Sequence, residues 1–361
     1  MKLFSAMSAR ENNDLAKVKS QMSMKYLGGA AKRTGNQPLR AMSSSRPQYN
    51  VVGVGVDEKY VDDAPTGVSV VKFLVRQKYP HASISKKDML PKTIDGFETD
   101  VEEVGAIIPH AKKKASAAAA AAPMPNPQGK FRPAQPGCSV GFREPSDAFI
   151  MAGTFGLVVK DAAGVHYVLS NNHVLAFESG VEADGVTKRV GLPVGSPIFQ
   201  PGLLDGGNAN TDEIAKLTRW IDLRADLPDN KVDGAIAQLH PSSVAIADIL
   251  FIGTPQGTDT AVKDMIVHKF GRTTSYRAGR VSSVTFDVTL TYEVGDVVFT
   301  DQIAIRGLNA QRFSDAGDSG SAILDRSSNK VVGLLFAGAT NGTLTFGNHI
   351  SDVFAQLKVK L

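Results

Sequence analysis

At 361 residues, with 42% hydrophobic side chains, the chain is long enough for two or more folded units and a sizeable core. A formal net charge of +4 is mild for that length, and no nucleic-acid motif accompanies it. No apolar stretch approaches the roughly 18 residues of a membrane span, and the single cysteine, Cys138, excludes an internal disulfide scaffold.

The first 50 residues carry nine Lys/Arg and only Glu11 and Asp14 as acids, which reads as a basic, flexible arm over 1–48. Charges fall too early for a secretory leader, so a cytoplasmic location is expected. From 49 to 109 the composition is that of a small α+β domain. NVVGVGV and VSVVKFLV are valine-rich and bounded by Gly, Pro and Asp, as strands are, and Asp95-Gly96 marks a turn before another extended segment. Residues 110–137, HAKKKASAAAAAAPMPNPQGKFRPAQPG, read as a linker: prolines 123, 125 and 127 end any helix that the alanines begin.

From Cys138 to the end, short β segments recur with turn signals between them: FGLVVK, VHYVLS, DGAIAQL, GRVSSVTFDVTLTY, DQIAIRG, GSAIL, KVVGLLFAG and TLTFG. That spacing predicts a mainly β fold, and 220-odd residues suit two small barrels better than one. His173 stands in YVLSNNHVLAF, where a strand over 167–170 runs into an Asn-Asn turn. It reads either as a loop histidine bonded to a carbonyl or as a catalytic base. None of the seven histidines has metal-ligand spacing, and no metal or cofactor is expected. The glycines of GLLDGG, residues 202–207, lack the Lys-Ser/Thr of a phosphate loop. Asp233 lies in the apolar segment VDGAIAQL, where a carboxylate is costly unless paired, and Gly234 and Ala235 leave room for an imidazole against it. Its rivals Asp226 and Asp229 fall in a polar loop that solvation explains.

FSDAGDSGSAIL, residues 313–324, is a tight turn before a strand, or it presents Ser319 as a nucleophile. In the second case Gly317 lets its own N–H and that of Ser319 converge on a developing oxyanion. A serine needs a base and an orienting group, and the order His173, Asp233, Ser319 supplies both.

These segments carry a resemblance. Residues 148–361 resemble a protease domain of the trypsin/chymotrypsin superfamily, with AGTFGLVV, LSNNHVL, VDGAIA, GRTTSYRAGRV, GDSGSAIL and VVGLLFAG in the family's order. KFGRTTSYRAGRV is similar to bacterial members of the lytic-endopeptidase type. The chain from about residue 50, with NVVGVGVDEKY and PKTIDGFETDV, resembles bacterial and plant trypsin-like proteins with an extra N-terminal domain. The resemblance implies a double six-stranded β-barrel with the active site in the cleft between barrels. In it Ser319 attacks, His173 moves the proton, Asp233 holds the imidazole, and the amides of Gly317 and Ser319 hold the oxyanion. Phe313 would floor the primary pocket and Phe336, Ala337 and Gly338 would wall it, implying cleavage after apolar rather than basic residues. A buried Lys269–Asp318 ion pair would order the site without an N-terminal activation cut. The sequence departs from the pattern at Ser321, where the family usually has Gly, and in lacking an Ile-Val-Gly-Gly activation site.

The expected function is therefore a serine endopeptidase acting on protein or peptide substrates, with no nucleic-acid or membrane partner. The alternative is a binding or scaffolding module on a protease fold. Residues 49–109 lack a nucleophile of their own, so a regulatory role is expected: filling the cleft, docking substrates or mediating homo-oligomerisation. A unit beginning near Pro136 is expected to fold by itself.

Overall fold

Valine-rich stretches punctuated by Gly, Pro and Asp form strands throughout, and the chain is mainly β. The computed structural model describes residues 7–28, 46–61, 64–109, 124–144 and 149–361.

Strands of the middle region pair antiparallel in the order Leu157–Lys160, His166–Ser170, Ala235–Leu239, Glu213–Trp220, Pro197–Phe199. Gly141 bridges Phe199, and Ser139–Val140 pairs with Gly153–Thr154, which lead back into Leu157. The ladder thus returns to where it began. Its apolar interior includes Val140, Leu157, Leu169, Ile214 and Ile236.

The C-terminal region forms a second circuit. Ile266–Gly271, Ala322–Asp325, Val331–Ala339, Thr345–His349, Gly295–Gly307 and Ser275–Tyr292 pair in that order, and the last pairs with the first. Val267, Val281, Ile305, Phe313 and Leu335 pack together within it. The closing helix Ile350–Leu357 crosses back, burying Ile350, Val353 and Leu357 in the first region's core.

The N-terminal part departs from the sequence reading in three places. Within the expected flexible arm, Ala9–Tyr26 is an α-helix started by a Ser8/Glu11 capping box. It buries Leu15, Val18 and Tyr26 against Val54, Val71 and Phe73, each worth about 1.5–3 kcal/mol. Charge composition had hidden this short apolar face; residues 1–6 and 29–45 lie outside the described residues. The small N-terminal unit, second, is not a free module. Its strand Val51–Val61 pairs with Ala64–Val75 on one edge and with the long strand Ser275–Tyr292 on the other, Gly53 opposite Val288. The glycines of NVVGVGV make that contact possible, since a Cβ on Gly55 would sit 2.4 Å from the Phe286 ring. Third, the later part of the expected linker is packed. Ala134 bridges Ala245 and is fully buried, and Gly137 N–H donates to Phe155 O at 2.6 Å. Residues 110–123 of that linker lie outside the described residues.

Candidate active site

His173 follows the strand His166–Ser170 on a single helical turn, Asn172–Leu175, and is fully buried. The two asparagines before it are structural. Asn171 Nδ2 donates to Asp233 O at 2.7 Å, and Asn172 Nδ2 donates to Ser179 O and Ile221 O at 2.8 and 2.7 Å. They satisfy backbone that the turn would otherwise leave unpaired.

Asp233 precedes the strand Ala235–Leu239, also fully buried. Its carboxylate accepts from His173 N–H at 3.2 Å, and Oδ2 lies 2.5 Å from His173 Nδ1. A buried carboxylate hydrogen-bonded to Nδ1 fixes the tautomer that turns Nε2 into an acceptor. Among the described residues, Nε2 is buried with no hydrogen-bond partner. Asp233 has a second donor that the sequence did not reveal, the Tyr292 hydroxyl at 2.9 Å. Burial, then the Asp233 charge, push that phenol well above its ordinary value, so it stays protonated and donating. Tyr292 sits in an unremarkable strand, TLTY, with no local signal of this contact. Asp226 and Asp229 are not brought to His173: Asp226 pairs with Arg224 at 2.5 Å, and Asp229 is exposed.

Ser319 is fully buried in the loop before Ala322–Asp325. The loop packs on the histidine-bearing region: Thr154 N–H donates to Ser319 O at 2.8 Å, and Gly153 lies between Val174 and that same carbonyl. Gly320, at φ +91°, admits no side chain, because a Cβ would meet Ser170 Oγ at 2.0 Å. The Ser319 hydroxyl donates to Phe336 O at 3.2 Å rather than to the imidazole.

The two expected oxyanion amides are set by their carbonyl sides. Thr273 Oγ1 donates to Ala316 O at 2.6 Å, and Ser321 donates to Asp318 O through N at 3.0 Å and Oγ at 2.6 Å. In a planar trans peptide the N–H points opposite the C=O, so these anchors aim the Gly317 and Ser319 amides the other way. Neither amide donates to another group among the described residues. Gly317 has φ +97°, which its lack of Cβ permits. Ser321, noted as a departure from the usual glycine, is thus one of the anchors.

Asp318 points away from this face. Its carboxylate accepts from Thr273 and Thr274 amides at 2.9 and 3.1 Å and from Thr274 Oγ1 at 2.6 Å, and Lys269 Nζ lies 3.0 Å from Oδ2. Both side chains are fully buried. Burial works to raise the Asp318 carboxyl, but the Lys269 charge and these hydrogen bonds outweigh it and hold the group below its ordinary value. Beside this pair Arg272 forks onto Asp205, with both bonds at 2.6 Å. The glycines of GLLDGG therefore serve a structural loop that brings Asp205 to Arg272.

Phe313 is 1% exposed and packs inside the second circuit with Val281, Ile305 and Leu335, whereas Phe336 joins Phe299 and Phe346 in another cluster. Ala337 is buried beside Phe336, and Gly338 follows on the same strand. Cys138 is likewise a core group, its thiol pushed up to about 12 by burial.

Over 63% of its length the chain is similar to solved structures of serine proteases. It is similar to the Nocardiopsis protease NAPase, at 15% identity and a TM-score of 0.42 with 99% of that chain covered. It is similar also to a glutamic acid specific serine protease described as using a novel histidine triad in substrate binding, at 14% identity and a TM-score of 0.43 with 100% of that chain covered. Thermobifida fusca protease A matches at 15% identity, a TM-score of 0.40 and 98% coverage of that chain. No family model matches the chain, and no curated protein does. At such identities and scores the likeness assigns no residue a role.

Proposed function

We propose that the protein is a serine endopeptidase with a chymotrypsin-like double β-barrel. The observation that carries this reading is the buried His173–Asp233 pair, 2.5 Å between Nδ1 and Oδ2, with the far imidazole nitrogen unpaired and the Ser319 loop bonded to Thr154 of the histidine-bearing region. Turning about its Cα–Cβ bond, the Ser319 hydroxyl leaves Phe336 O and gives its proton to His173 Nε2 as Oγ attacks a peptide carbonyl. The imidazolium that results is stabilised by Asp233, which Tyr292 and the Asn348 side chain hold in place, the latter accepting from Asp233 N–H at 3.1 Å. The carbonyl oxygen, now an anion, is received by the Gly317 and Ser319 amides. His173 then returns the proton to the leaving amine, giving an acyl-enzyme that water hydrolyses by the same path in reverse.

The reacting groups are all supplied by this chain, and the substrates are proteins or peptides. The resting bond from Ser319 to Phe336 O keeps the alternative of a binding module with little turnover in view. A fluorophosphonate probe separates the two. Covalent labelling lost in Ser319→Ala is expected for the enzyme, and absence of labelling in the parent chain would defeat it.

A further inference from the structure

The strand Val331–Ala339 has one edge on Thr345–His349. Its other edge is taken by successive partners along its length. First comes Ala322–Asp325, paired opposite residues 331–334. Then Leu335 N–H donates to Ser321 O at 3.0 Å, and Leu335 O accepts from Gly320 N–H at 2.9 Å. Next Phe336 O accepts the Ser319 hydroxyl. Beyond it the same edge, Ala337–Ala339, pairs antiparallel with Ile107–Pro109, Gly338 opposite Ile108.

This edge is the natural seat for a substrate. A peptide whose carbonyl lies at Ser319 has its preceding residues beside the strand that continues past Phe336, where backbone pairing can hold them extended. The polarity also fits. Ile107 faces Ala339 and Pro109 faces Ala337, so the segment runs N to C toward the nucleophile, the direction of residues that precede a cleaved bond.

The segment is fastened. Thr340 N–H donates to Ala106 O at 2.9 Å, Ala106 N–H donates to Thr340 Oγ1 at 3.1 Å, and Asn341 Nδ2 donates to Glu103 O at 2.8 Å. Ile107 is 3% exposed and packs with Phe336 and Phe346, while Ile108 on the alternate face is 39% exposed.

We propose that the chain's own Ile107–Pro109 is the resident occupant of the Ala337–Ala339 edge, where the peptidase reading seats the residues that precede the cleaved bond. Resting on the peptidase reading, this makes the N-terminal strands a built-in competitor at that site. A substrate long enough to need the edge must displace them, and one that reaches only Ser319 need not.

The test uses the full-length chain carrying Ser319→Ala, so binding is read without turnover. The probe is a fluorescein-labelled peptide, Gly-Ala-Ile-Ile-Pro, which copies residues 105–109. Releasing an internal competitor raises apparent affinity by the inverse of the fraction of time the edge was open. Ile107→Ser, which removes the buried anchor, and Thr340→Val, which removes a hydroxyl clasp, are each expected to tighten binding about ten-fold. Unchanged affinity in both variants would overturn the proposal. In chains with Ser319 intact, fluorophosphonate labelling at equal rates in parent and variants is the expected companion result, because a small probe does not use the edge. Absence of labelling would defeat the peptidase chemistry alone, while the peptide affinities still decide who occupies the strand.

Discussion

Burial gives each charged group of the site a partner it cannot lose cheaply. If Ser319, His173 and Asp233 act as one unit, Ser319→Ala and His173→Ala each lower peptidase turnover by several orders of magnitude, and the double variant is hardly worse. Asp233→Asn is similarly severe, because an amide facing Nδ1 favours the wrong tautomer. Asp229→Asn, on an exposed side chain, is expected to be silent. Steady-state kinetics on a peptide substrate checks all four, and a crippled Asp229→Asn would reassign the carboxylate. The oxyanion anchors make a subtler case. Thr273→Val frees the Ala316 carbonyl and Ser321→Ala leaves the Asp318 carbonyl with its backbone bond alone, so kcat is expected to fall about ten- to a hundred-fold, less than for outright loss of an oxyanion donor. KM should hardly move, and Thr273→Ser should restore the rate. For Lys269–Asp318 the linkage sign follows from the Asp318 carboxyl, which lies below its ordinary 3.8 in the folded chain. A lowered folded-state value adds stability that is complete above the ordinary value and drains away as pH falls through the folded one. Lys269→Met leaves a buried carboxylate without its cation, costing about 3–5 kcal/mol. The acid limb of the pH–activity profile should therefore move to higher pH; a full rate with an unmoved limb would show the pair to be dispensable.

At the scale of elements, the glycines of Val51–Val61 are the clearest link between sequence and assembly. Glycine weakens a strand unless another group needs the space, and here the Phe286 ring fills it. Gly55→Ala is expected to destabilise by about 1–3 kcal/mol through overpacking, read as a lower denaturant midpoint. An unchanged midpoint would mean that strand and ring separate without cost. The helix Ala9–Tyr26 makes its own tie to the same strands: Lys19, 4% exposed, lies 2.5 Å from Asp287 and 3.1 Å from Asp301.

For the molecule as a whole, these contacts change what a truncation should do. A unit starting near Pro136 reads from sequence as self-sufficient. The structure shows Val52, Leu74 and Ile107 in one apolar cluster with Phe286, Phe336 and Phe346, and Arg306 paired with Glu102 at 2.6 Å. Removing residues 1–109 would strip that cluster and open the edge of Ser275–Tyr292 to other chains. The truncated protein is expected to aggregate or to melt well below the parent, measured by gel filtration and thermal unfolding. A monodisperse fragment of undiminished stability would return the N-terminal strands to the status of a detachable module.

Much of the site could be read from local sequence because its chemistry has local demands. The candidate nucleophile loop turns on glycines at positive φ, Gly317 and Gly320, and a carboxylate within an apolar run, as at Asp233, needs a partner. The recurrence of short valine-rich runs likewise determined a mainly β chain. What only the tertiary structure decided are contacts between residues far apart in sequence, where nothing local distinguishes one partner from another. Tyr292 on Asp233 and Thr273 on Ala316 belong to this kind. So does the seating of Ile107–Pro109 on the strand beside Ser319. Backbone pairing is open to almost any residue, so a sequence can announce a strand without naming the edge that will receive it.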